Sequence, residues 1–329
     1  MEKGVRMADI AQRLGISIVS VSKGLSGKDG VSEEMRAKII ETAKELGYVP
    51  PAPRGKQEDL NKTIGILVCD KFFNENSFYA NLYRYLLKSC TECGYTCILE
   101  IVSPVAEYSC TMPLMLTRRK VDALIFMGEI ERRYMGAAIE YGLPFILLDF
   151  YDELISADSV CSDNVAGGFM LTEHLLKTGR TKIGYVGSIA ATSSIMDRYL
   201  GYCKALLKHG IEPNPVWRLE DRTDNGALCS LELPEDMPEA FVCNCDEVAF
   251  NLTEKLRREG YRIPQDVAVT GYDDYRWATI NNPPLTTYRV DSEAMAKAAL
   301  DQLRRKLLHK PVPAPTVMVP GAFVRREST

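Results

Sequence analysis

The sequence predicts an all-α N-terminal unit of three short helices, joined to a larger α/β region of doubly wound parallel sheets in two lobes. Three observations predict this. Over residues 1–50 apolar positions follow helical spacing, punctuated by Gly15 and Gly47. Residues 51–62 are a linker whose Pro, Gly and charge content does not suit a packed core. From residue 63 onward, short apolar runs alternate with amphipathic stretches, the pattern of parallel strands covered by helices on both faces. At 329 residues, 46% of them hydrophobic, the chain is too long for one simple core.

In the first unit, residues 7–14 place Met7, Ile10, Ala11 and Leu14 on one helical face, and Gly15 stops the helix. Ser17 caps a second helix that runs to about Leu25. Ser32 caps a third that ends at Leu46, with Glu33 and Glu34 favouring its positive N-terminal pole. The apolar runs that follow are residues 64–69, 96–101, 123–127, 144–148, 182–186, 240–243 and 267–270, and a β-rich tail over 315–326 supplies edge strands. Parallel sheets of this kind bind ligands beyond the carboxyl ends of their strands. The informative segments are therefore 70–79, 149–150, 188–198, 244–247 and 272–275, which are rich in polar and aromatic residues.

The net charge is −4, from 40 Lys+Arg against 44 Asp+Glu, so no global basic field exists and any DNA contact must be local. No run approaches the roughly 20 apolar residues of a membrane span, and the N-terminus carries charges where a secretory leader would be apolar. A cytoplasmic protein without membrane partners is expected. The ten cysteines are then expected to stay reduced. Cys90, Cys93 and Cys97, with Cys243 and Cys245 distant, lack paired metal-ligand spacing and a nearby His, and read as small buried apolar groups. No metal and no cofactor are expected. Neither a phosphate-binding loop nor a metallopeptidase or hydrolase motif occurs, and His174, His209 and His309 lie in helical stretches, so no enzymatic activity is expected.

Ala11, Gly15 and Val21 hold the spacing of a helix-turn-helix: the Ala lets two helices approach, the Gly turns the chain, and the Val packs beneath. The longer string MADIAQRLGISIVSVSKGLSG at 7–27, with VSEEMRAKI at 31–39 and LGYVP at 46–50, resembles the lactose-repressor/galactose-repressor (LacI-type) family of bacterial regulators. The resemblance runs in order through nearly the whole chain. It implies that the start of the second helix reads the major groove, placing Ile18, Val19, Ser22 and Lys23 at base edges. Val21 and Leu25 already supply the inner face. Ser17, Ser26 and Ser32 are candidate phosphate donors. The family pattern continues with a hinge helix whose Leu enters the minor groove. Here Pro53 and Gly55 oppose a helix and no Leu stands in the matching region, which leaves Arg54 and Lys56 to touch phosphate or the minor groove.

The resemblance further implies a sensor like periplasmic sugar-binding proteins, with an N-lobe of about 63–161 and 291–320, a C-lobe of about 162–290 and 321–329, and a small effector, a sugar or sugar derivative, between them. Arg198 matches a hydroxyl-binding Arg at a helix start, and Asp273 a strand-end carboxylate that accepts from hydroxyls. Asp149 and Phe150 end a strand at the cleft, and Phe78 and Tyr79 match positions of ring-stacking or hydroxyl contacts, with core packing as the alternative. Cys245 and Asp246 stand where the family has an Asn-Asp pair. Arg222 occupies a loop that carries an aromatic in some relatives, and favours an acidic effector. Residues 156–164 and Gly167-Gly168 match the crossing into the C-lobe and read as structural, with Asp163 capping the next helix. The family works as a homodimer on a near-palindromic operator, with residues 78–90 in the dimer contact. No heptad tail follows to add a further level of assembly. The competing expectation is a solute-binding protein of the same two-lobed fold that does not bind DNA.

Overall fold

The computed structural model describes residues 5, 7–26, 29–48, 61–73, 78–223 and 226–329. These divide into two compact units, 1–60 and 61–329.

In the first unit, α1 (Met7–Leu14) buries Ile10 and Ala11. Gly15 takes a left-handed φ of 66° and turns the chain, with the Ile16 amide donating to the Ala11 carbonyl at 3.1 Å. The next helix, α2 (Ile18–Ser26), starts where Ser17 Oγ accepts from the Ser20 amide at 3.1 Å. Ser32 caps α3 (Glu33–Glu45) by accepting from the Met35 amide at 3.3 Å. Ile10, Ala11, Val21, Ile39 and Ala43 form the small core, rimmed by Met7, Leu14, Leu25 and Leu46.

The second unit contains two parallel sheets. The first has the order β11-β5-β4-β3-β1-β2, formed by β1 (Thr63–Cys69), β2 (Thr96–Val102), β3 (Ala123–Met127), β4 (Phe145–Leu148), β5 (Ser159–Ser162) and β11 (Thr316–Val319). The second has the order β7-β6-β8-β9, from β6 (Ile183–Val186), β7 (Arg218–Leu219), β8 (Ala240–Cys243) and β9 (Ala268–Thr270). An antiparallel pair, β10 (Thr287–Arg289) with β12 (Ala322–Val324), lies beside them in the chain path. The chain passes between the sheets three times: after β5, between β10 and α12 (Ser292–Leu307), and between β11 and β12.

Strand alternation sorts side chains into layers. Ile64, Ile66 and Val68 of β1 face the layer of α4 (Phe78–Glu92) and α12, whereas Leu67 and Cys69 enter the opposite core with Phe126 and Leu147. In the second lobe, α8 (Asn164–Lys177) and α9 (Ser193–Lys208) pack at close range, and α10 (Asp246–Arg258) lies over β8 and β9. No helix among the described residues is long and apolar enough to cross a membrane.

Candidate functional site

The second helix of the N-terminal unit presents an uncommon surface. Its inner face is satisfied by Val21, which is fully buried, so Ile18 and Val19 turn outward and are 52% and 65% exposed. Two adjacent exposed β-branched residues on a short helix gain nothing from folding. Ser22 and Lys23 are exposed on the same helix. Ser17 and Ser32 sit at helix starts, each spending a side-chain acceptor on its cap. The side chain of Ser26, and Arg54 with Lys56, lie outside the described residues.

In the second unit, the loops beyond β1, β4, β8 and β9 and the start of α9 converge on one cavity of about 120 Å³. This is compact beside the roughly 300–1,000 Å³ of most ligand pockets, a size for one small polar molecule. Phe78, Tyr79, Asp149, Arg198, Arg222, Cys245, Asp246 and Asp273 all line it.

Arg198 stands at the centre, buried and held from several sides. Its Nε donates to Asn164 Oδ1 at 2.9 Å and its Nη1 to the Asn244 carbonyl at 2.6 Å. Nη2 lies 3.6 Å from Asp273 Oδ1, and the guanidinium rests 3.8 Å from the centre of the Tyr272 ring. Burial opposes its charge, but Asp273, Tyr272 and Asp149 outweigh this and hold its pKa above the ordinary value. Such a fork is fixed in orientation before any ligand arrives.

Two carboxylates face it. Asp149 follows β4 with a left-handed φ of 69° and accepts from Tyr79 Oη on Oδ2 at 2.8 Å. Burial pushes its carboxyl up to about 6 against the pull of Arg198 and Tyr79. Asp273, after β9, has a φ of 105°; burial pushes it up to about 7, opposed by Arg198 and reinforced by Asp149. Three buried polar atoms of the lining have no hydrogen-bond partner: Asp149 Oδ1, Asn244 Oδ1 and Arg222 Nε. Arg222 Nε does lie 3.3 Å from Asp221 Oδ2, an ion pair without hydrogen-bond alignment. Orphaned buried polar groups cost about 1–3 kcal/mol each, so the wall of this cavity carries a strain of unsatisfied polar atoms.

Asp246 lines the cavity as expected but is held by the protein, whereas Phe150 is placed differently from the sequence expectation. Both oxygens of Asp246 are engaged by the protein, Oδ1 by Thr287 Oγ1 at 2.7 Å and Oδ2 by the Tyr275 amide at 2.8 Å. It pins the 271–275 loop that carries Asp273, while touching the cavity wall. Phe150 does not line the cavity; its ring is buried in the core of the first lobe with Leu67, Phe126 and Leu147. The cavity also recruits Lys71, Thr192, Ser194, Asn244, Glu247 and Tyr275 from the strand-end segments, and Trp277 from beyond them. Asn164 supports Arg198 from behind. Nothing in its local sequence distinguishes it, because its partner lies 34 residues away.

Residues 6–51 match the model for bacterial regulatory proteins of the lacI family, and residues 172–329 that for the periplasmic binding protein-like domain. The ribose operon repressor of Haemophilus influenzae is 29% identical over 327 residues, covering 98% of each chain. The transcriptional repressor PurR of Aliivibrio salmonicida is 28% identical over 309 residues, covering 92% of each. Among solved structures, a cellobiose complex of the transcriptional regulator CelR superposes with a TM-score of 0.70 at 22% identity, covering 99% of this chain and 100% of that one. The lac repressor dimer bound to operator and an anti-inducer gives 0.67 at 20% identity, covering 99% of both. Helix-turn-helix and full-length similarity agree: the chain is a DNA-binding transcription regulator that carries a LacI-family helix-turn-helix domain followed by a periplasmic-binding-protein-like effector-binding domain.

Proposed function

We propose that this regulator represses transcription as a cytoplasmic homodimer on a near-palindromic operator, and that a sugar or sugar derivative bound between its lobes lowers its affinity for DNA. Ile18, Val19, Ser22 and Lys23 are the base-reading surface, with Lys23 donating to guanine and the two aliphatic side chains on thymine methyls. Ser17, Ser26, Ser32 and Arg54 position the phosphates. Arg198 donates to vicinal hydroxyls, and Asp149, Asp273 and Asn244 accept from them. Phe78 and Tyr79 offer ring faces to the apolar side of the ligand. The single observation that carries the effector reading is the pre-oriented Arg198 fork beside the Asp149 and Asp273 carboxylates in the lining of one compact cavity.

Thermal-shift screening against sugars, sugar phosphates, sugar acids and nucleosides tests it, because a ligand of the folded state raises Tm by mass action. The expected result is a saturable hit, lost in Asp273→Asn, that also weakens a gel-shifted operator complex. A hit confined to nucleosides would replace the sugar reading. A protein that binds a sugar but no DNA, with Lys23→Ala behaving like wild type, would favour the solute-binding alternative.

Arg222 favours a ligand with an acidic substituent, on the observation that its guanidinium is part of the cavity wall. Arg222→Gln should then lower affinity for the acid or phosphate form while leaving that for the neutral parent sugar within about twofold. Equal losses for both would remove this preference.

A further inference from the structure

Cys90 and Cys97 face the same core layer at the boundary between α4 and β2, at the end of α4 opposite to the cavity-lining Phe78 and Tyr79. Cys90 is fully buried in the last turns of α4. The helix then ends abruptly: Gly94 has a φ of 76°, and the Tyr95 amide donates back to the Cys90 carbonyl at 2.9 Å. This return drops the chain directly into β2, so that Cys97 sits on the face of β2 that packs against α4. Ile98, one residue on, enters the opposite core. β2 is the edge strand of its sheet and Cys97 is only partly buried. Cys97 is thus the more exposed residue of the two, and Cys90 the buried one.

We propose that Cys90 and Cys97 form an oxidisable thiol pair that a hydroperoxide converts to a disulfide, tying the end of α4 to the edge of the first sheet.

The electrostatics give the pair a direction. A hydrogen bond from Cys90 lowers the pKa of Cys97, although burial works against it, and the same bond together with burial raises that of Cys90. Burial raises the pKa of the Tyr83 hydroxyl, and Cys97 and Cys90 add to that shift. The thiolate is the nucleophile in this chemistry. Cys97 thiolate attacks one oxygen of hydrogen peroxide, forming an S–O bond and breaking the O–O bond; hydroxide leaves and takes up the proton released by Cys97. Cys90 sulfur then attacks Cys97 sulfur, the S–O bond breaks, and the hydroxyl leaves as water with the Cys90 proton. Two thiols and one peroxide become one disulfide and two waters. Cys93 is close enough to act on the Cys90 titration and is the natural competitor.

The test is a fragment map of the full-length protein. Reduced protein is treated with hydrogen peroxide, remaining thiols are blocked with N-ethylmaleimide, and the chain is cleaved after Glu92 and Tyr95, which puts Cys90, Cys93 and Cys97 on three separate fragments. The expected product joins the Cys90 and Cys97 fragments with the loss of two hydrogens. It should disappear with dithiothreitol, be absent from Cys90→Ser and Cys97→Ser, and persist in Cys93→Ser. Maleimide on both Cys90 and Cys97 after peroxide treatment would overturn the proposal. So would a product joining Cys90 to the Cys93 fragment. Because the wild-type map alone decides the matter, a variant that folds poorly does not blur it.

Discussion

Asp149 and Asp273 line the cavity, and burial makes both costly to ionise. Each has an ordinary value of 3.8, and burial raises them to about 6 and about 7. Between roughly pH 4 and 7 the folded protein therefore binds more protons than the unfolded chain, and the stability these groups contribute falls as pH rises through that window. The ligand-free protein should melt a few degrees higher at pH 5.5 than at pH 8, and Asp273→Asn should flatten that slope. A ligand whose hydroxyls donate to the carboxylates favours their charged forms. Binding should then tighten as pH rises from 5.5 to 7.5 and release protons, detectable by calorimetry in two buffers of different ionisation heat. A pH-independent affinity with no proton release would mean that neither carboxylate accepts from the ligand. Strand ends singled out the segments that hold Arg198, Asp149 and Asp273, which line the cavity; the roles proposed for them came from the family resemblance. Phe150 was misplaced for a backbone reason. Asp149 adopts a left-handed conformation, which breaks the strand alternation and turns the next ring into the core. Nothing in the local sequence announces that φ.

At the level of elements, the crossing of α8 and α9 decides where Arg198 can sit. A Cβ on Gly168 would overlap the Arg198 carbonyl, and one on Gly201 would overlap the Val165 carbonyl and meet the Phe169 amide at 2.7 Å. The two backbones touch, and that proximity lets Asn164 at the start of α8 reach Arg198 on α9. Gly201→Ala should cost about 1–3 kcal/mol in denaturant unfolding, as overpacking of a tight interface does. Gly168→Ala should in addition weaken effector binding, since it displaces the residue that carries the guanidinium. A Gly168→Ala protein with wild-type affinity would show that the helices can separate without moving Arg198. The Gly167-Gly168 pair was readable as structural, but its partner Gly201 was not, because contact between helices has no local signature. The same limit applies to β5. Its sequence, Ser-Val-Cys-Ser, lacks an apolar run, yet all four residues are buried between β4 and β11, where the Ser159 hydroxyl pairs with Thr316 Oγ1 at 3.2 Å. The long apolar strands, by contrast, stood where their hydrophobic runs placed them, within a residue or two.

Across the sensor as a whole, the two lobes are joined near the cavity by hydrogen bonds from residues that the chain crossings do not tether. Glu129, just after β3 in the first lobe, accepts from the Ser193 amide at the start of α9 at 2.7 Å. Tyr151, after β4, donates through its hydroxyl to Asp197 Oδ1 at 2.9 Å. Both acceptors are carboxylates whose pKa burial raises, so each bond is made to a group that water has partly surrendered. These contacts belong to an arrangement in which the lobes are together; separating the lobes breaks them without disturbing either sheet. A net hydrogen bond of this kind contributes roughly 0.5–1.5 kcal/mol, and a ligand pays for any shortfall in the population of the binding-competent form through its apparent affinity. Tyr151→Phe should therefore raise the effector Kd by about two- to tenfold, although Tyr151 makes no contact with the cavity. Glu129→Gln should have the smaller effect, because an amide oxygen still accepts from Ser193. Operator affinity without effector should be unchanged or slightly greater in Tyr151→Phe. Linkage then requires that more effector be added to release DNA, by the same factor as the loss in effector affinity. If Tyr151→Phe binds effector more weakly but releases operator at the wild-type effector concentration, lobe closure and DNA release are separate events, and the two-state coupling is wrong.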